Sequence, residues 1–358
     1  MRQRIIGFDL ARAYAIFGMY VVNFNIVFGD YHDQTVMGRF LSLFSGNSST
    51  IFVLLAGMGV SLMSNRKTYS AGEQKQLQKV ISKRSRFLFA VGMLLYPWWP
   101  ADILHFYGAY MHIAVLLLFA NRRWYLFAAV AAVIVFHVLL LLIPYETGWN
   151  FETLQYKDFW TVQGFLRNTF YNGWNPVFPW LAYFMLGMYM GRLNWQDPFT
   201  WKKTFLTGFA IYFFVVALQL LSNYINVSGD LHFYINADYI PPFLPFLLST
   251  SGFGVMMIAA FMYIGQKTAG SKFVQSLSLM GKMTLTHYIS HLTIGILLFV
   301  MITGKGYTGQ LNKEAPISPV AVLLYSTVYF VFSYFFSKYW LGKFKNGPFE
   351  IIMRKLSD

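Results

Sequence analysis

The sequence predicts an all-α fold: a polytopic transmembrane helix bundle of about ten helices with both termini cytoplasmic. Three observations carry this expectation. The 358 residues are 56% hydrophobic and 20% aromatic but only 12% charged, about half the charged fraction of a soluble domain. Apolar stretches long enough to cross roughly 30 Å of hydrocarbon recur along the whole length. The 28 lysines and arginines alternate between crowded turns and nearly empty ones. Residues 1–358 thus read as a single integral membrane domain.

The apolar stretches are 10–29, 46–64, 86–101, 103–120, 124–143, 177–192, 203–222, 241–264, 281–302 and 317–337. The first lacks a clean small-residue cleavage site and carries polar groups, so it reads as a retained helix rather than a signal peptide. The third is short and joins the fourth almost directly, which makes that boundary the least defined. With the N-terminus inside, twenty-one of the 28 basic residues fall on inner turns and tails, among them Arg2, Arg4, Arg66, Lys67, Arg122, Arg123 and Arg192. The outer side holds only Arg39, Lys157, Arg167, Lys305 and Lys313, while Arg12 and Lys282 lie within spans. Losing one span would swap sides for everything downstream, so the asymmetry supports ten. A longer extracytoplasmic loop, about 144–176, has an amphipathic middle expected to lie in the interface or to cap the membrane-embedded part. Trp98, Trp99, Trp149 and Trp174 fall at the outer boundary as interfacial anchors or as grips on sugar or lipid. Gly187 and Gly191 form a close-packing pair on one helix face.

The net charge of +14 fits cytoplasmic turns facing anionic membrane lipid, and no nucleic acid is expected as a partner. The absence of cysteine excludes disulfides, thiolate nucleophiles, iron–sulfur sites and Cys-type zinc sites.

Against this apolar background a few polar groups stand out. Asp9, Arg12 and Asn23 lie within the first span, where such residues are costly and need a partner or a task. Arg12 and Asn23 are eleven residues apart, which places them on one helix face roughly 16 Å apart. Asp9 and Arg12 can neutralise one another, and Asn23 can serve as interhelical glue. His32 follows, between Asp30 and Asp33; a histidine oriented by a carboxylate can act as a base near neutral pH. The ninth span places Thr284, His287 and His291 on one face, as a cavity lining or as buried groups satisfied by neighbouring helices. The zinc signature needs a glutamate after the first histidine, and Tyr288 stands there. No metal is expected. Asp102, followed by His105, is a cavity-lining candidate or a carboxylate at a helix N-terminus. Lys83, Arg84 and Arg86, in a run with Lys75 and Lys79, are suited to lipid headgroups or to donor phosphates.

Taken together these motifs resemble a known group. Arg4-Ile-Ile-Gly-Phe-Asp9-Leu-Ala-Arg12 through Val22-Asn23 resembles the opening of YeiB-like bacterial membrane proteins and of heparan-α-glucosaminide N-acetyltransferases. Asp102-Ile-Leu104 with Tyr107, Phe178-Pro-Trp180-Leu181 running into Gly187, Gly281-Lys-Met-Thr-Leu-Thr-His287-Tyr288, and Gly347-Pro-Phe-Glu350 after Trp340 are similar to further segments of that group. The resemblance spans nearly the whole chain and implies membership of a superfamily of transmembrane acyltransferases. It implies that acyl-CoA, expected to be acetyl-CoA, donates an acyl group from the cytosol to an acceptor hydroxyl or amine outside. The superfamily places a histidine where Asn23 follows Arg12, whereas the acetyltransferase branch has asparagine there and takes its histidine from the next loop. By that resemblance the catalytic residues are Arg12, Asn23 and His32. Lys83, Arg84 and Arg86 are expected to hold the CoA, and Asp9, Asp102, His287 and His291 to line the cavity; His291 resembles a histidine of the acetyltransferases. The acceptor is expected to be a small molecule or a glycan- or lipid-linked group, the protein a possible homodimer, and the location a bacterial inner membrane. The alternative is a transporter or exporter of a small anionic or lipid-linked solute, with the same polar stripe as its pathway.

Overall fold

In the computed structural model, residues 5–66, 68–236, 238–304, 306–307 and 316–358 are described. Arg2, Arg4, Lys67, Lys305 and Lys313 lie outside the described residues. Among the described residues the chain is all-α apart from one hairpin of two-residue strands. Its helices are α1 (Ile6–Phe28), α2 (Val36–Ser42), α3 (Asn47–Met63), α4 (Ala71–Leu95), α5 (Leu104–Leu116), α6 (Arg122–Leu142), α7 (Val162–Arg167) and α8 (Val177–Met190). They continue with α9 (Pro198–Tyr224), α10 (Gly229–Ile235), α11 (Leu244–Lys267), α12 (Lys272–Ser278), α13 (Thr284–Ser290), α14 (Ile296–Thr303), α15 (Pro319–Lys343) and α16 (Pro348–Ser357). The strands are β1 (Trp149–Asn150) and β2 (Gln155–Tyr156), with Trp149 opposite Tyr156.

Among the described residues, seven helical segments are long and apolar enough to cross a membrane: α1, Val36–Met63, α6, α9, α11, Thr284–Thr303 and α15. Each coincides with one of the ten apolar stretches. The other three stretches coincide with α4, α5 and α8. The first half of α4 is charged, and α5 and α8 are only 13 and 14 residues long.

The chain divides into two compact units, with breaks after Phe52, Asn194, Tyr239, Leu244 and Ile352. The first contains α1, α2, α9, α10, α11 except Leu244, α12–α15 and the first half of α16. Its centre is α1, whose most apolar stretch is 67% buried against 11% for α9. Phe24 packs edge-on against Tyr325, 4.9 Å between ring centres, and Phe28 stacks on Phe299. The 3₁₀ turn Met280–Lys282 lies against the start of α1. A Cβ on Gly281 would come within 2.7 Å of the Asp9 Cα, so only glycine allows this approach. By contrast α9 exposes Phe199, Leu206, Phe213 and Phe214, as a lipid-facing helix does.

The second unit holds α4–α8 and most of α3. Gly187 of α8 sits so close to α3 that a Cβ would lie 2.9 Å from the Leu54 Cα, which is the close packing expected of the Gly187/Gly191 pair. The segment 144–176 folds as a tied cap. Asn172 donates to the carbonyls of Tyr145 and Thr147, at 2.7 and 2.8 Å, and accepts the Tyr156 hydroxyl at 2.6 Å. Arg167 clamps Asp158 at 2.6 Å. Trp99, Trp149 and Trp174 are buried, so these three rings pack within the protein rather than facing lipid. Trp149 donates its indole N–H to the Asn172 carbonyl; a tryptophan in an interfacial belt would leave that donor to water.

Candidate functional site in the first unit

The polar stripe of α1 resolves into two separate pairings. Near the start of the helix, Arg12 donates to Asp9 at 3.0 Å. Asp9 is buried and Arg12 about a quarter exposed, so the pair is anchored at its acidic end and open at its basic end. Near the other end, the Asn23 amide nitrogen meets His291 Nε2 at 2.8 Å. These two groups are 268 residues apart in the chain.

The hydrogen bonds assign the protons on both histidines. His291 Nδ1 lies 3.1 Å from the carbonyl oxygen of His287. A carbonyl only accepts, so Nδ1 carries the hydrogen and Nε2 presents its lone pair to the Asn23 amide. The His287 Nε2 lies 2.8 Å from the Ser337 hydroxyl, which itself donates to the Ser333 carbonyl at 2.8 Å. His287 Nε2 is therefore the donor. The Ser333 hydroxyl is 3.1 Å from that of Tyr20, whose ring lies 5.3 Å from the His291 ring. One buried network thus links α1, α13 and α15. The backbone bends at this place: a π-helical turn begins at His291 and runs to Gly295. Such turns frequently accompany functional sites. His287 and His291 are both buried, and Thr284 of the same face is tied back to the Gly281 carbonyl at 3.1 Å.

His32 lies elsewhere, exposed on the turn between α1 and α2. The aspartates beside it are engaged with backbone. Asp30 accepts the His32 N–H at 2.9 Å, and Asp33 accepts the N–H of Thr35 at 2.7 Å. Neither carboxylate holds the imidazole among the described contacts, so the expected carboxylate–histidine arrangement is absent there. Tyr31 points inward to Ser45, and burial pushes its hydroxyl above the usual phenol range.

The remaining candidates belong to the second unit. Asp102 accepts both the backbone N–H and the ring Nδ1–H of His105, each at 3.0 Å, and both side chains are fully buried. This combines a helix-start carboxylate with an oriented imidazole. Of the basic run, Arg84 is engaged by the C-terminus: it meets Asp358 at 2.7 Å and Ser357 at 3.2 Å. Lys83 is half-buried and Arg86 exposed on the same helix.

Sequence reasoning missed Tyr20, Ser333 and Ser337, which carry no motif of their own. It also missed the task of Glu350, whose carboxylate accepts the N–H groups of Leu285 and Thr286 at 2.8 and 3.2 Å and the Thr286 hydroxyl at 2.5 Å. Glu350 therefore caps the helix that bears His287 and leads into His291.

Residues 4–226 match the family described as heparan-alpha-glucosaminide N-acetyltransferase, catalytic. That stretch is more than half of the chain. The chain belongs to this family. Residues 190–358 match a second family, described as protein of unknown function (DUF418). No curated protein matches the chain. The acetyltransferase-family match takes in Asp9, Arg12, Asn23, His32 and Asp102, and the second takes in His287, His291 and Glu350. The Asn23–His291 hydrogen bond therefore joins the two matched stretches. Both resemblances expected from the motifs are present.

Proposed function

We propose that this protein is a membrane-bound acetyltransferase that moves an acetyl group from cytosolic acetyl-CoA to a hydroxyl or amine on the extracytoplasmic side. The observation that carries this reading is the contact of the half-buried Asn23 with the buried His291 inside a chain of the N-acetyltransferase family. Ten spans with both termini cytoplasmic, in a bacterial inner membrane, complete it. The one-sided distribution of lysine and arginine supports that topology.

The chemistry follows from the proton assignments. In the resting site the Asn23 amide covers the His291 lone pair. An incoming acceptor hydroxyl or amine takes the place of that amide at Nε2, so His291 receives the acceptor's proton as general base. The acceptor attacks the thioester carbonyl, the carbon–sulfur bond breaks, and the proton passes to the departing CoA thiolate. The freed Asn23 N–H then donates to the carbonyl oxygen as negative charge develops, in a site shielded from water. The bond from Nδ1–H to the His287 carbonyl fixes the tautomer throughout. Arg12, partly exposed at the cytoplasmic end of α1, orients the donor. His32, exposed past the outer end of the same helix, meets the incoming acceptor.

Acetyl transfer is tested in proteoliposomes loaded with acetyl-labelled CoA and presented outside with a panel of hexosamine glycosides. Label on an external acceptor supports the reading. Acetyl-CoA that is neither bound nor consumed by the purified protein would sink it.

A further inference from the structure

A second feature, wholly within the second unit, has chemistry that the histidine network does not use. A cleft of about 430 Å³ opens between the end of α3, the start of α4, the end of α5, the start of α6 and the end of α8. That volume is in the range of small-molecule sites. Its walls include Arg66, Arg122 and Arg192, together with Tyr69, Phe119 and Asn121. All three arginines belong to the side that the charge distribution assigns to the cytoplasm.

The arginines are placed for an anion. Arg192 already uses both terminal nitrogens, on the Ser64 carbonyl and hydroxyl, the Asn65 amide oxygen, the Leu118 carbonyl and the Tyr125 hydroxyl, all of them neutral. These bonds fix its guanidinium without cancelling its charge. Arg66 pairs with Glu73 at 2.8 Å, but both are more than 45% exposed, and an exposed ion pair is readily exchanged for a stronger partner. Arg122 is exposed at the first turn of α6, a helix of 21 residues with no acidic residue in that turn. Basic groups there oppose the helix dipole. Local helix stability therefore argues against Arg122, whereas a bound anion would favour both the side chain and the helix start.

The aromatic wall adds a second requirement. Phe119 and Tyr69 meet edge to face at 5.1 Å between ring centres. The Arg66 guanidinium lies over the Tyr69 ring at 5.2 Å, and Tyr69 is held by its hydroxyl bond to the Met63 carbonyl at 3.2 Å. A flat ring can stack on this fixed surface while phosphates reach the arginines. A bare phosphate would leave the aromatic wall without a role.

We propose that this cleft, as a site of the second unit by itself, binds a phosphorylated purine nucleotide; the acetyl donor carries such an end, and in that respect the assignment rests on the acetyl-transfer reading. This sets the phosphate contacts on Arg66 and Arg122, with the fixed charge of Arg192 behind them, in place of Lys83, Arg84 and Arg86, of which Arg84 is held by Asp358.

The test is calorimetric titration of the full chain in phosphatidylcholine nanodiscs with adenosine 3′,5′-bisphosphate and, separately, acetyl-CoA. Arg122→Glu is expected to weaken bisphosphate binding by about tenfold or more, at a melting temperature no lower than that of wild type, since glutamate suits the helix start. Arg123→Glu makes the same charge change one residue on, outside the cleft wall, and is expected to change it by less than about threefold. Bisphosphate that fails to bind, or that binds Arg122→Glu as tightly as wild type, overturns the proposal. If the nucleotide fails but vesicles containing phosphatidylglycerol retain the protein through Arg122, the cleft takes a lipid phosphate and the nucleotide assignment falls. If bisphosphate binds through Arg122 while acetyl-CoA is never consumed, the cleft stands and the acetyl-transfer reading falls.

Discussion

Replacing Glu350 by alanine should loosen the helix that presents the paired histidines. The Glu350 side chain is 9% exposed. It receives three donors at the start of α13, two of them backbone N–H groups that no other part of the helix can satisfy. Thr286 in turn accepts the Phe349 N–H at 3.2 Å, so the contact also fastens α16. Stranding a buried donor costs about 1–3 kcal/mol, and the Thr286 hydroxyl can rotate to another acceptor. With two amides left unmet, Glu350→Ala should cost about 2–6 kcal/mol. Glu350→Gln keeps one carbonyl oxygen for those amides and should cost clearly less. Burial pushes the Glu350 carboxyl above its ordinary value of 4.5, against the pull of its hydrogen bonds from Thr286 and Leu285. With the folded pKa above the unfolded one, the folded state holds the proton more tightly. Stability is then greatest below about 4.5 and falls as pH rises through the raised value. The margin of wild type over the non-titrating Gln variant should therefore narrow as pH rises from 4.5. Thermal unfolding of the three proteins in one detergent, across pH, measures both effects. An alanine variant that melts with wild type, or a margin that widens with pH, would refute the reasoning.

Two further outcomes follow from packing and burial. Gly187→Ala should force α8 away from the Leu54 backbone and cost about 1–3 kcal/mol, read as a lower melting temperature, whereas Gly270→Ala, with open space around it, should melt like wild type. Asp102→Asn should lose about 1–3 kcal/mol by removing the anion that faces His105. Unchanged unfolding of that variant would mean that the pair does not stabilise the second unit.

The all-α class was legible because apolar periodicity and composition are set locally, and seven of the ten apolar stretches correspond to helices long enough to cross a membrane. Asn23 and His291 were each legible as polar residues in costly surroundings. Their contact was not, because 268 residues separate them and nothing in either local sequence encodes the pairing. Ser333 and Ser337 were invisible for a related reason: a serine in a membrane helix commonly bonds its own backbone, as Ser337 does. His32 illustrates the opposite error. Flanking aspartates looked like orienting partners, yet short acidic side chains beside a turn satisfy nearby backbone N–H groups first. The arginine cleft escaped notice because its residues come from five separate helix ends and look, one by one, like ordinary turn charges.

The central claim is that the Asn23–His291 pair is the reaction centre. It is tested most directly by single-turnover acetyl transfer in proteoliposomes, comparing His291→Ala, Asn23→Ala and His32→Ala at equal folded protein. Loss of a general base contributes typically about 10²–10⁴-fold. The account predicts a loss of that order for His291→Ala, a loss of about 10²-fold for Asn23→Ala, and a smaller one for His32→Ala. Full transfer by His291→Ala alongside an inactive His32→Ala would contradict it and return the chemistry to the turn between α1 and α2.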